Sequence, residues 1–270
     1  MNAEELLRRA ARLVDTTRRE RPLVHHITND VTLLLSANAV LALGGSPVMS
    51  SSPQESADIT AQAHSLVVNT GTPHEHSVKA MFRSARRART EGVPAVLDPV
   101  GAGFTPYRNK AIRSLASTGA FSVIKGNSSE MAWLTGLGRG ARGVDARSER
   151  YTARKIASLC TARFKTVCVV TGPADVISSG ESLFFVKGGS PMAGSMPGAG
   201  CLAASLCGLY LACASSPLEA AAAALLVLRA ASAISGSSAQ GIASFQTGLI
   251  DAFMRINGED IFRGGILHDA

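Results

Sequence analysis

A chain of 270 residues is long enough to bury a sizeable core as one α/β unit. Apolar residues make up 46% of it but aromatics only 5%, a balance that suits helices packed closely on a buried sheet and excludes a disordered chain. Lys and Arg exceed Asp and Glu by 27 − 20 = 7, which favours anionic partners such as nucleotides and is modest for a nucleic-acid binder.

The first 21 residues alternate Glu, Arg and Leu without a signal-type apolar core, so they are predicted as an amphipathic N-terminal helix of a single domain spanning 1–270. Short β-like runs then alternate with helical patterns, the sign of crossover units and a mostly parallel sheet. Strands are predicted at 23–27, 47–50, 66–69, 95–97, 121–124 and 166–170, and helices at 31–43, 74–90 and 151–163. The segments 176–178 and 183–186, joined through Ser179-Gly180-Glu181, have the form of a hairpin. From Gly198 onward only helices are predicted, over 203–214, 218–234 and 245–256. The fold class is therefore α/β, a mostly parallel central sheet flanked by helices, with a C-terminal part that is all helical.

The densest basic stretch, Arg83, Arg86, Arg87 and Arg89, has alanines between the charges and no aromatic to stack a base, so it is predicted as a solvated helix face with no nucleic acid on it. The five cysteines are odd in number and form no Cys-x-x-Cys pair, which points to a reducing, cytoplasmic setting. No charge occurs from residue 188 to 218, but Gly, Ser and Pro interrupt the stretch throughout, so no membrane span is predicted there.

Four predicted strands end in turn-forming polar residues: Asn69-Thr70-Gly71, Asp98-Pro99-Val100-Gly101, Lys125-Gly126-Asn127 and Thr171-Gly172. In an open α/β sheet the ligand crevice lies outside the carboxyl ends of the strands, so these residues should converge on one rim. Pro99 holds Asp98 in an extended conformation, and Glu130 falls in the first turn of a helix opened by Asn127 or Ser128. Asp98 and Glu130 together have the makings of a Mg²⁺ site working through waters, and Glu130 alternatively serves only the charge at its helix N-terminus. Lys125 is placed to pair with nucleotide phosphates, and Thr171 to offer a hydroxyl. His25 and His26 alternate across a strand without partners for a zinc set, and are read as satisfied core histidines.

Pro197-Gly198-Ala199-Gly200-Cys201 is a glycine-rich turn feeding a helix, whose free N–H groups and dipole favour a phosphate. A tight packing turn without a ligand is the alternative. The dinucleotide fingerprint Gly-x-Gly-x-x-Ala is matched in letters but lacks its flanking strands, and the P-loop pattern is absent. Cys201 would sit in the first helical turn, where the dipole should lower its thiol pKa and fit it to act as base or positioner.

Taken in order, His25-His26-Ile27-Thr28-Asn29-Asp30, Gly45-Ser46-Pro47-Val48-Met49, Asp98-Pro99-Val100-Gly101-Ala102-Gly103, Lys125-Gly126-Asn127-Ser128-Ser129-Glu130 and Gly198-Ala199-Gly200-Cys201 resemble the hydroxyethylthiazole kinases over about 22–253. The Cys closing the glycine turn separates that family from ribokinase-like relatives with Asp there. The resemblance implies a ribokinase-like fold and a homotrimer with sites at subunit interfaces. It also implies Mg²⁺-dependent transfer of the ATP γ-phosphate to 4-methyl-5-(2-hydroxyethyl)thiazole in thiamine salvage. By position, Lys125 and Thr171 would contact ATP, Met49 and Gly198 the thiazole, and Asn29, Asp98 and Glu130 would organise phosphates and metal, with Cys201 facing the substrate hydroxyl. Two departures stand out: Pro197 removes one N–H donor before the turn, and Lys125 stands where the family often has Arg. The alternatives are a ribokinase-like kinase for hydroxymethylpyrimidine or a sugar, and a non-catalytic nucleotide-binding regulator on the same fold.

Overall fold

In the computed structural model, which describes residues 1–138 and 149–269, the chain opens with helix α1 (Ala3–Glu20). The Asn2 side chain accepts the Glu5 N–H at its start, and Arg21 ends it in the left-handed region. Leu6, Ala10, Leu13, Val14 and Thr17 recur at helical spacing and form its buried stripe.

Strand and helix then alternate: β1 (Leu23–Ile27), α2 (Leu33–Ala42), β2 (Ser46–Met49), α3 (Ser56–Gln62), β3 (Ser65–Asn69), α4 (Glu75–Glu91), β4 (Ala95–Asp98), α5 (Pro106–Ala116), β5 (Val123–Asn127), α6 (Ser128–Thr135), α7 (Glu149–Phe164) and β6 (Val167–Thr171). These six strands pair in parallel in the order β2-β1-β3-β4-β5-β6. Helices α4 to α7 cover one face and α1 and α2 help cover the other, which is why the inner strands are buried along their length. The short helices α3 and α5 were absent from the sequence reading, whereas α6 begins where a helix opened by Asn127 or Ser128 was expected. The Arg83–Arg89 stretch lies exposed on α4, as predicted, with Arg87 pairing to Glu91.

The hairpin β7 (Asp175–Ser179) and β8 (Ser182–Lys187) continues the sheet in antiparallel fashion. A 3₁₀ turn (Pro191–Gly194) leads to α8 (Ala199–Leu211), α9 (Pro217–Gly236), α10 (Ile242–Arg255) and α11 (Gly258–Gly264). Leu225, Leu226 and Val227 of α9 are fully buried, contributing about 1.5–3 kcal/mol each by transfer from water. Helix α9 is long and apolar enough to cross a bilayer, but most of it is enclosed by α1, α8 and α10.

The chain does not finish as helix. After α11 it returns as β9 (Ile266–Asp269), antiparallel to β8, so the sheet has nine strands among the described residues. Leu267 is buried while Ile266, His268 and Asp269 are exposed, so the four residues carry too little local pattern to announce a strand.

Candidate active site

The chain runs from β1 outward to β2 at the edge and then back across β1 to β3, so the strand order reverses between β1 and β3. A reversal of this kind leaves a crevice at the carboxyl ends of the two strands. Asn29 follows β1 and Asn69 ends β3, and the Asn29 Nδ2 donates to Asn69 Oδ1 across that gap at 3.0 Å. Parallel register places Asn69 beside Asp98, and the pairing of Leu97 with Ile124 places Asp98 beside Lys125. Side chains alternate along strands, so Asn69, Asp98 and Lys125 project to one face, the face covered by α8.

A continuous polar chain results. Asn69 Nδ2 donates to Asp98 Oδ2 at 2.7 Å, and Lys125 Nζ lies 3.3 Å from Asp98 Oδ1. Both asparagine amides also donate to the Cys201 sulfur, Asn69 at 3.2 Å and Asn29 at 3.3 Å. Asp98 is fully buried and Lys125 nearly so, whereas Cys201 is half-buried and reaches the rim.

Burial pushes the Asp98 carboxyl up, against the pull of Lys125 and with help from Glu130. The Lys125 ammonium is disfavoured by the same burial, but Asp98, Glu130 and Cys201 outweigh it and its net shift is upward. Cys201 departs from the sequence expectation. Its thiol is raised, because burial and the neighbouring Asp98 charge outweigh Lys125 and the hydrogen bonds from Asn69 and Thr32.

Glu130 has both suggested attachments to a helix start and something more. With Asn127 as N-cap, its Oε2 accepts the Asn127 N–H in a reciprocal capping box, while its Oε1 accepts the Gly101 N–H at 2.9 Å. It therefore ties the start of α6 to the loop after Asp98. The donor set fits a Mg²⁺ reached through water: two carboxylates, Glu130 close enough to raise the Asp98 carboxyl, with lone pairs left over after one internal bond per oxygen.

The glycine turn is built by close approach. Gly198 caps α8 in the left-handed region at φ 93°, and a Cβ there would lie 2.4 Å from the Thr32 methyl. A Cβ at Gly200 would lie 3.1 Å from Lys125 Nζ, so the bare backbone makes room for the ammonium beside the first turn of the helix. Outside this turn opens a cleft of about 600 Å³, lined by Thr171, Gly172, Ala199, Gly200, Leu228 and Arg229. A volume of this size is typical of a site for a small ligand. Thr171 sits at its wall, its hydroxyl donating to the Gly126 carbonyl at 3.3 Å. Met49 lies apart from the polar chain on the edge strand β2, half-buried and opposite His26.

The hydroxyethylthiazole kinase family model matches residues 14–259. This chain belongs to that family. A hydroxyethylthiazole kinase of Desulfatibacillum aliphaticivorans is 37% identical over 94% of the chain and 95% of that protein. A solved hydroxyethylthiazole kinase structure from Pyrococcus horikoshii superposes with a TM-score of 0.89 at 32% identity, covering 97% of this chain and 98% of that one. A pyridoxal kinase from Staphylococcus aureus solved with ADP matches at a TM-score of 0.67 but only 13% identity, over 92% of this chain and 98% of that one, and so shares the fold. The fold is ribokinase-like, and the protein is a phosphotransferase of the thiazole kinase family.

Among the eight residues singled out beforehand, Asn29, Asp98, Lys125, Gly198 and Cys201 meet in one cluster around the reversal of strand order, and Glu130 joins it through Gly101. Thr171 stands on the cleft wall and Met49 at the sheet edge. Sequence reasoning placed Asn69 on the rim but gave it no role, whereas it holds Asn29, Asp98 and Cys201 together. It missed Arg108, which donates to the carbonyls of Thr70, Gly71 and Val100 and so ties two strand-end loops together. Nothing local marks an arginine in the first turn of α5 for that task.

His25 is satisfied, its ring nitrogens meeting Thr60 Oγ1 and the Ser50 carbonyl. His26 is not: Nδ1 meets the Val24 carbonyl, but the buried Nε2 has no partner among the described residues. Burial lowers His26 to about 4, so the unfolded chain binds the proton more readily. Its stabilising effect is complete above pH 6.5 and is lost as pH falls toward 4, by roughly 3 kcal/mol. His26→Leu should therefore flatten the acid limb of a urea-unfolding series between pH 6.5 and 4; superimposable limbs would refute this.

Proposed function

We propose that this protein transfers the γ-phosphate of ATP to the hydroxyl of 4-methyl-5-(2-hydroxyethyl)thiazole, in the cytoplasm, as a step of thiamine salvage. The observation that carries the reading is the half-buried Cys201 sulfur in the first turn of α8, held by Asn29 and by Asn69, which also bonds Asp98 of the Asp98–Lys125 pair, and next in the chain to Gly200 on the cleft wall. Those are the parts phosphoryl transfer needs: donors and positive charge for the phosphates, and a fixed neighbour for the acceptor.

In this reading the N–H groups at the start of α8 and the Lys125 ammonium receive phosphoryl oxygens, with Thr171 contacting ATP on the cleft wall. Pro197 lies one residue before the cap Gly198 and outside α8, so the first turn of that helix keeps its own N–H groups. Lys125 offers a point charge where an arginine would offer a fork, which suits the narrow space beside Gly200. Asp98 and Glu130 would hold Mg²⁺ through waters, and the ion would neutralise charge building on the phosphates. Cys201, with its raised thiol, orients the substrate hydroxyl; it is a poor base, which suffices for a loose transition state. Met49 and Gly198 would contact the thiazole.

We further propose one domain over 1–270 and a homotrimer with sites at subunit interfaces. Support comes from the edge position of β2 and from the exposed Val31 and Leu34, which flank Thr32 beside the site.

The test is ADP formation with the thiazole alcohol, hydroxymethylpyrimidine and a sugar offered separately, with and without Mg²⁺. Turnover is expected only with the thiazole alcohol and only with the metal. Equal or greater turnover with another alcohol, or none with any, would remove the assignment.

A further inference from the structure

The cleft beside Gly200 owes its outer wall to a side chain far along the sequence. Arg229, in the middle of α9, uses all three guanidinium nitrogens. Nε donates to Asp175 Oδ2 at 2.8 Å, one terminal nitrogen pairs with Asp175 Oδ1 at 2.8 Å and donates to the Gly172 carbonyl at 2.6 Å, and the other donates to the Gly188 carbonyl at 3.0 Å. Asp175 is in turn fixed by the Gly172 N–H at 3.0 Å. One turn further along the same helix face, Ser232 Oγ accepts the Ser190 N–H at 3.0 Å.

These bonds join three segments that share no covalent neighbour: the turn from Thr171 into β7, the strap 188–190 after β8, and α9. Gly188 and Gly189 both have left-handed backbones, at φ 101° and 83°, so the strap is intrinsically loose. A Cβ at Gly189 would lie 3.2 Å from the Arg229 Cδ, which shows how closely the arginine stem backs it. The planar fork is suited to this because it can serve a carboxylate and two carbonyls at once, which an ammonium cannot. The cleft walls at Gly172, Asp175 and Gly188 are thus set by Arg229.

We infer that Arg229 is a positioning residue for the nucleotide, holding the turn 171–175 and the strap 188–190 at the separation that a nucleoside triphosphate fills. The inference rests on the nucleotide reading of this cleft. It assigns Arg229 no contact with the transferred phosphoryl group, because its nitrogens are already engaged by Asp175, Gly172 and Gly188.

Two variants test it. Arg229→Lys keeps a cation beside the buried Asp175 but loses the fork; the double variant Arg229→Met with Asp175→Asn removes both charges together, so that no buried charge is left alone. In each, the Kd for ATP measured by calorimetry and the KM for ATP should both rise about 10- to 100-fold, the range for losing one or two charge-assisted hydrogen bonds. The kcat and the KM for the thiazole alcohol should stay within about twofold, a split that general destabilisation does not produce. ATP affinity within twofold of the parent in both variants, or a fall in kcat at constant KM, would overturn the role of Arg229. A parent protein that binds ATP without phosphorylating the alcohol would leave this role intact and remove the proposed acceptor; a parent that binds no ATP would remove both.

Discussion

Asp98→Asn is expected to lower kcat by about 10²- to 10³-fold, the range seen when a preorganised electrostatic group is lost from a site. The carboxylate is fully buried and acts only as an acceptor, toward Asn69 Nδ2 and Lys125 Nζ. A carboxamide has one oxygen for these two donors, and its own NH₂ must face one of them. Lys125, almost without solvent, then loses its counterion, and a buried charge left alone costs about 3–5 kcal/mol. Urea unfolding should register that loss. The double variant Asp98→Asn with Lys125→Met separates the two effects: removing both charges should recover most of the stability but none of the turnover. Recovery of turnover in the double variant would show that the pair serves folding alone.

Cys201→Ala should lower kcat by about 10- to 10⁴-fold, overlapping the magnitude of acid–base and positioning groups, and leave ATP affinity nearly unchanged. The sulfur touches the two asparagine amides and not the cleft wall formed by Thr171, Gly172 and Arg229, so its loss removes the acceptor's neighbour while sparing the nucleotide end. Truncation leaves Asn69 Nδ2 its bond to Asp98 and Asn29 Nδ2 its bond to Asn69, so folding should be little affected. Steady-state kinetics with calorimetry on the variant checks both halves. Unchanged turnover would take Cys201 out of the mechanism, and a large loss of ATP affinity would place it in the nucleotide site.

Much of this was legible in contiguous residues. The six parallel strands and the longer helices lie within a few residues of where hydrophobic periodicity put them, because a buried strand and an amphipathic helix each write their pattern into neighbouring positions. The short helices α3 and α5 escaped because they span only two or three turns and their buried faces are small, whereas α6 declared its start through Asn127 and Glu130. The glycine turn was legible for a similar reason: Gly198 needs a left-handed backbone and Gly200 needs an absent Cβ, both of which glycine declares.

The sequence by itself therefore determined the six parallel strands and the hairpin, the longer helices, the rim where the strands end and the residues of the family pattern. Tertiary structure alone decided the rest. Asn69 became the hub of the polar chain only once the strand order reversed between β1 and β3, and Arg229 found Asp175 only once α9 had folded over the hairpin. The Cys201 thiol is raised, against the expectation from its place in the first helical turn, because the fold buries it beside a carboxylate from another strand. The physical division is one of range: backbone conformation and amphipathic period are written locally, whereas ion pairs, burial and titration depend on groups that only the fold brings together.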